Sequence, residues 1–272
     1  TVLNSNLSVW KSEKSYNSEI GVPLAILGLE NAWNNLIKWI FNIVRAFQLV
    51  IFTEKYPEYL ILEIGADKPG DIKNIISWLH PDISIITKFG DVPVHVEFFK
   101  GRNELIEEDG KVAESLSEKG LLIVNHDDKD SYNLKNKTKE RTISYGFEES
   151  ATIVSSNPQI VYDDSGFPTG MTYKISYEGN NMPVKIDGVL GNTSIYATLP
   201  ALLVGREYGI NIVEGIESLR KHSSPPGRLR ILKGIKESII IDDTYNSSPV
   251  AVEEALRVFK ELNVNGRKII VL

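Results

Sequence analysis

The chain has 272 residues with 42% hydrophobic and 24% charged side chains, an ordinary balance for a globular protein with room for one large or two modest domains. A net charge of −6 and a pI near 5.4 do not supply the basic face a nucleic-acid binder needs, so nucleic acid is excluded as a partner. The absence of cysteine excludes disulfides and thiolate metal sites and fits a reducing cytoplasm.

Thr1 to Gly21 is polar and lacks an apolar core, so no signal peptide is expected there. The chain opens on Thr rather than Met and closes on Lys268-Ile269-Ile270-Val271-Leu272, which reads as a strand cut off as it finishes. An internal piece of a longer protein is therefore expected. Ala32 to Phe52 comes next as a helix, with Leu36, Ile40, Ile43, Phe47 and Val50 at roughly helical spacing. It carries Lys38, Arg45, Asn42 and Gln48, too many polar groups for an unaided membrane span. Three readings stay open: a helix packed on its own domain, an interfacial helix making peripheral contact with the inner membrane surface, or a helix in a partner's groove.

Tyr59 to Ile64 is a nearly continuous apolar run, as expected of a buried parallel strand. Helix follows over 71–79, strand over 83–87, a charged helix over 103–116 and strand over 121–125. This alternation predicts an α/β fold with a mostly parallel sheet flanked by helices. From Arg141 to Ile186 short alternating segments with turns such as Gly179-Asn180-Asn181 predict an antiparallel appendage. Helices return over 194–208 and 212–222. Ser223-Ser224-Pro225-Pro226-Gly227 then reads as a linker, dividing 1–222 from a second α/β unit at 223–272.

The most informative string is Ile241-Asp242-Asp243-Thr244-Tyr245-Asn246-Ser247-Ser248-Pro249, preceded by Pro226-Gly227-Arg228-Leu229. A strand over 238–241 runs into two carboxylates, an aromatic ring and an amide, and a helix opens at Ser247 or Ser248. That gathers ligand-binding groups at the carboxyl end of a strand, where α/β proteins bind ligands. Arg228 sits on a Pro-Gly turn, from which a guanidinium can reach a phosphate. Glu63 interrupts an apolar strand and must meet a cation or hydrogen-bond donors, whether a structural lysine or a metal ion. His95, in Val94-His95-Val96-Glu97, follows another strand end and reads either as a surface or core imidazole or as a ligand. Asn17, in Tyr16-Asn17-Ser18-Glu19-Ile20-Gly21-Val22-Pro23, reads either as turn geometry or as part of a site.

Together these motifs resemble the muramyl ligases of peptidoglycan synthesis (the Mur ligase family), most closely the MurF type. The resemblance runs from about Ser15 to Leu272 and implies a central ATPase domain to residue 222, lacking its start, then the beginning of a Rossmann-like carboxyl-terminal domain. It implies ATP and Mg²⁺ as cofactors, cytoplasmic location, and UDP-MurNAc-tripeptide and D-Ala-D-Ala as substrates joined through an acyl phosphate. Glu63 and His95 would hold Mg²⁺, Asn17 would line the site, and Arg228 would contact the phosphate. Asp243, Tyr245 and Asn246 would lie near the nucleotide, with Asp243 accepting from a ribose hydroxyl. Asn125-His126-Asp127-Asp128 matches a family segment taken as a fold marker, and Glu97 falls to a structural role.

The pattern departs from the family at three places. No Gly-x-x-x-x-Gly-Lys-Ser/Thr loop occurs, and in the family that loop lies shortly before the Asn17 segment, so it is expected ahead of Thr1. Asp109 stands where the family carries a carbamylated lysine, with Lys111 two residues on. Thr193 and Ser194 replace a His and an Asn that approach the adenine. These departures leave two alternatives, a catalytically inactive paralogue acting as a binding protein, and a related amide ligase with another acceptor.

Overall fold

The computed structural model describes residues 1–12, 15–52, 56–90, 98–222, 224–245, 248–264 and 266–271. Among these the chain forms, in order, β1 (Val9–Lys11), α1 (Gly21–Leu27), α2 (Leu36–Ile51), β2 (Tyr59–Ile61), α3 (Asp71–Ile76), β3 (Ile83–Ile86), α4 (Arg102–Glu114), β4 (Leu121–Asn125) and α5 (Lys129–Asn133). β5 (Arg141–Gly146), β6 (Ile153–Tyr162), β7 (Pro168–Tyr177) and β8 (Asn180–Asp187) follow. The chain continues through α6 (Asn192–Glu207), α7 (Ile212–Leu219), β9 (Arg230–Lys233), β10 (Ile239–Asp242) and α8 (Pro249–Glu261).

β4 is an apolar run ending in Asn125 and is buried throughout, as a strand covered on both faces must be. Its side chains alternate. Leu121 and Ile123 join Tyr145, Ile153 and the α6 residues Ile195, Leu199 and Leu202 in the main core. Leu122 and Val124 meet Ile86, Phe89 and Ala113 of α4 on the other face. Burying each such aliphatic side chain contributes roughly 1.5–3 kcal/mol. The sheet runs β3-β4-β5-β6-β7-β8, parallel from β3 to β6 and antiparallel from β6 to β8.

Four expectations need correction. Arg141–Gly146 was expected in the antiparallel part, yet β5 is a parallel neighbour of β4, and the hairpins extend the same sheet. The strand over 59–64 was expected as a buried strand of the mostly parallel sheet. Instead β2 is three residues long and pairs in parallel with β1 in a separate two-stranded sheet. Beyond Ile61 the regular ladder stops: the Ser12 N–H still reaches the Ile61 carbonyl at 3.1 Å, but the Glu63 N–H turns to the Ser12 hydroxyl at 3.4 Å. The strand expected over 268–272 is absent from 268–271, where no neighbouring strand supplies a ladder among the described residues, and Leu272 lies outside them. Lys268 instead donates to the carbonyls of Phe259, Lys260 and Leu262 at 2.9, 3.1 and 2.8 Å, covering the open end of α8.

The fourth correction concerns α2, whose apolar stripe was read first as packing on its own domain. Asn35 caps the helix by accepting from the Lys38 N–H at 3.0 Å. The Trp39 indole N–H reaches the Trp33 carbonyl at 2.9 Å, and Asn42 reaches the Glu30 carbonyl at 2.8 Å. Those polar contacts turn the Trp39-Asn42-Ala46-Leu49 line inward. Leu36, Ile40, Ile43, Phe47 and Val50 are left 54–82% exposed.

After residue 223, β9 and β10 form an antiparallel pair. α8 starts where expected, with Ser248 accepting from the Ala251 N–H at 3.4 Å and Pro249 in the first turn, where its missing N–H costs nothing. Leu229, Val258 and Leu262 enter the same core as β4 and α6. This packing holds the loop after β10 beside the rest of the chain.

Candidate active site

The Pro-Gly-Arg turn and the loop after β10 are joined residue by residue. Asp242 accepts from the Gly227 N–H at 3.1 Å and from the Thr244 hydroxyl at 2.7 Å, while Asp243 accepts from the Leu229 N–H at 3.0 Å. The Tyr245 N–H closes the set on the Gly227 carbonyl at 3.1 Å. Gly227 has φ +74°, and a Cβ there would lie 2.8 Å from the Tyr245 nitrogen, so both backbone and contact require glycine. Arg228 projects from this turn exposed, its guanidinium carbon 4.2 Å from the centroid of the Tyr245 ring. A cation stacked on a ring is oriented before any anion arrives. The Thr244 hydroxyl, with the Thr244 and Gly227 N–H groups and Arg230 nearby, outweighs desolvation and holds the Asp242 carboxyl below the usual carboxylate range.

The Asn17 loop arrives from the other end of the chain. The Ser15 hydroxyl hydrogen-bonds the Tyr245 hydroxyl, linking this loop to the stacked pair. Two residues on, the Asn17 carbonyl accepts from the Gly65 N–H at 3.1 Å, and its side-chain nitrogen would stand 3.4 Å from a Cβ at Gly65. Gly21 lets the helix that follows start tight against Tyr16, since a Cβ there would fall 2.7 Å from Tyr16 backbone atoms. Glu63, two residues before Gly65, is exposed just past β2. The structure thus brings Arg228, Tyr245 and Asp243 together with Ser15, and Asn17 with the Glu63-Ile64-Gly65 segment. His95, Glu97 and Asn246 lie outside the described residues. Among the described residues no group of three or more His, Asp or Glu side chains could hold a metal ion.

Ser15 and Asp242 had no assigned role in the sequence. Ser15 contacts a residue 230 positions away and left no local signal. Asp242 could have been suspected, because a carboxylate beside a Thr two residues on builds a self-capping turn.

The positions that depart from the family pattern are packed. Asp109 has one carboxyl oxygen buried without a hydrogen-bond partner among the described residues. Burial, and then the neighbouring Glu108 charge, push its pKa up to about 6. Lys111 is ion-paired with the buried Glu108, whose other oxygen accepts from the Ile72 and Lys73 N–H groups at 3.0 and 3.2 Å. The Glu108 carboxylate thereby joins α4 to α3. At the start of α6, Glu254 of α8 accepts from the Asn192 N–H at 2.5 Å, and the Ser194 hydroxyl turns to the Leu190 carbonyl at 2.9 Å. The Asn125-Asp128 segment is structural: Asp127 accepts from the Phe147 and Glu148 N–H groups and the Tyr196 hydroxyl at 2.7, 2.9 and 2.6 Å.

The six-stranded, mostly parallel sheet packed between helices makes this an α/β protein, and the oriented arginine and carboxylate pair after β10 are its candidate ligand-binding groups. The chain belongs to the Mur ligase family, whose middle-domain model matches residues 42–205. It is 25% identical over 272 residues to the UDP-N-acetylmuramoyl-tripeptide–D-alanyl-D-alanine ligase of Bacillus subtilis, covering 100% of this chain and 51% of that protein. The ligase of the same name from Buchnera aphidicola is 26% identical over 261 residues, covering 95% and 49%. The fold matches MurF from Acinetobacter baumannii with a TM-score of 0.77 at 18% identity, covering 96% of this chain and 50% of that one. It also matches MurF from Thermotoga maritima in complex with ADP, with a TM-score of 0.74 at 23% identity over 96% and 52%. The chain spans about half the length of these relatives.

Proposed function

We propose that this chain is the central part of an ATP-dependent amide ligase that joins D-Ala-D-Ala to UDP-MurNAc-tripeptide in peptidoglycan precursor synthesis. The observation that carries the reading is Arg228, stacked on Tyr245 and tied through Tyr245 to the Asn17 loop. It is supported by family membership and by the named activity of the relatives. In the proposed reaction a tripeptide carboxylate oxygen attacks the γ-phosphorus of ATP, the bond to the β,γ-bridging oxygen breaks, and ADP leaves. The amine of D-Ala-D-Ala then attacks the acyl carbon, loses a proton, and phosphate departs with the C–O electron pair.

Arg228 would meet the phosphoryl oxygens as charge shifts onto them, already oriented by its ring. Asp243 retains a second carboxyl oxygen as acceptor for a ribose hydroxyl, with Tyr245 and Asn246 beside the nucleotide. Asn17 would position the muramoyl substrate. Mg²⁺ takes one or two carboxylates together with phosphate oxygens, so a single exposed glutamate suits it in kind. Glu63 and His95 would hold it, and it would supply neutralisation of phosphate charge. On this reading the domain boundary falls at 222/223, on the Pro-Gly linker.

Asp109 and the Glu254-capped α6 favour a second reading, a nucleotide-binding paralogue without turnover. The full-length protein incubated with ATP, UDP-MurNAc-tripeptide and a panel of amines separates them by product mass. The ligase reading expects the D-Ala-D-Ala adduct and ADP, and a loss of roughly 10²-fold or more in kcat for Arg228→Ala. ADP binding without any adduct favours the paralogue, and an exclusive glutamate adduct favours a different acceptor.

A further inference from the structure

We propose that Ser15 is a positioning residue whose hydroxyl, acting through Tyr245, fixes how Arg228 is presented to the phosphates of a nucleotide; this rests on the nucleotide-binding part of the reading above. Arg228 is exposed, and among the described residues no carbonyl or carboxylate meets its guanidinium, which lies over the Tyr245 ring with 4.2 Å from carbon to centroid. The direction of the cation therefore follows the direction of the ring. The Tyr245 backbone is fixed by its N–H on the Gly227 carbonyl at 3.1 Å, but the residue is 54% exposed, so packing leaves more than one side-chain rotamer open. The hydrogen bond between the phenol and the Ser15 hydroxyl holds the far end of the ring and selects one of them.

The loop that carries Ser15 is held without that bond. Its Asn17 carbonyl accepts from the Gly65 N–H at 3.1 Å, the Tyr16 hydroxyl accepts from the Asn31 N–H at 2.9 Å, and Glu19 accepts from the Asn74 amide at 2.5 Å. Ser15 itself is exposed and makes no other hydrogen bond among the described residues. The Tyr245 phenol, in turn, hydrogen-bonds Ser15 alone among them. Losing the hydroxyl should therefore free the ring and leave the loop in place. One hydrogen bond of this kind is worth roughly a 3- to 10-fold change in an equilibrium constant.

Calorimetric titration of the full-length protein with ADP tests this. Ser15→Ala should weaken ADP binding roughly 3- to 10-fold. Tyr245→Phe should weaken it equally and the double variant no further, because both changes remove the same bond. Ser15→Thr, which keeps the hydroxyl, should bind ADP as wild type does. In an Arg228→Ala protein the Ser15→Ala change should cost nothing more, the mark of a residue that acts through the guanidinium. Affinity for UDP-MurNAc-tripeptide, titrated in the same way, should be unchanged by Ser15→Ala, since the Asn17 loop keeps its other bonds. The proposal is overturned if Ser15→Ala binds ADP as well as wild type, or if the loss persists undiminished in the Arg228→Ala protein. It is equally overturned if tripeptide affinity falls as far as ADP affinity, which would make Ser15 a support of the loop. Wild-type protein that binds no ADP would sink the nucleotide reading itself, and the proposal with it.

Discussion

Asp109 places a carboxyl oxygen where no donor among the described residues meets it, and the group responds by holding its proton to about pH 6. Its folded pKa lies above the unfolded value of 3.8, so the folded state binds the extra proton. The associated stability is fully present below pH 4 and is lost as pH rises through about 6. Asp109→Asn, which cannot ionise, should match wild type at pH 4 and exceed it at pH 7 by on the order of 2–3 kcal/mol. Urea unfolding at both pH values reads this, and a difference independent of pH would refute it. Gly227 is the corresponding point in the site. With φ at +74° and Tyr245 nitrogen 2.8 Å from any Cβ, Gly227→Ala should cost about 1–2 kcal/mol and displace Arg228. ADP affinity and turnover should fall together; unchanged ADP affinity would show that the turn does not present the guanidinium.

Among the elements, α3 and α4 are joined by the Glu108 carboxylate, which accepts two N–H groups of α3 and the Lys111 ammonium. Desolvation opposes its charge, but the Lys111 and backbone hydrogen bonds prevail and hold its pKa below the ordinary value. Lys111→Met leaves a buried carboxylate with backbone donors alone. Because Lys111 is about one-third exposed, the loss is discounted to on the order of 1–2 kcal/mol. Lys111→Arg should recover most of it in the same denaturation experiment. Full stability in Lys111→Met would mean the pair does not hold the helices. β4 was legible in the sequence because a covered strand must be apolar throughout, and α4 as a charged run between two strands. β1 was not, since a three-residue strand exists only through its partner β2. The stripe of α2 was legible as a period but not as a direction, because Asn42 and Trp39 settle which side faces in through carbonyls at Glu30 and Trp33.

For the molecule as a whole, the sequence carried the candidate site's polar and charged groups as separate motifs: Arg228 on its turn, the carboxylates after β10, Asn17 before Gly21-Val22-Pro23, and Glu63 before Gly65. Folding adds the contacts between them, above all Ser15 with Tyr245 and Arg228 over the Tyr245 ring, which link the amino-terminal loop to the segment after residue 223. The Ser15–Tyr245 contact spans 230 residues and leaves no periodicity to read. His95 and Asn246, named from the sequence, lie outside the described residues.

The central claim is amide formation through an acyl phosphate. Its most direct test places oxygen-18 in the terminal carboxylate of UDP-MurNAc-tripeptide and follows the label with the full-length protein, ATP and D-Ala-D-Ala. The account predicts one labelled oxygen in each phosphate released, matched mole for mole by ADP and the D-Ala-D-Ala adduct. Adduct formed with unlabelled phosphate, or ATP left intact with every amine supplied, would contradict it.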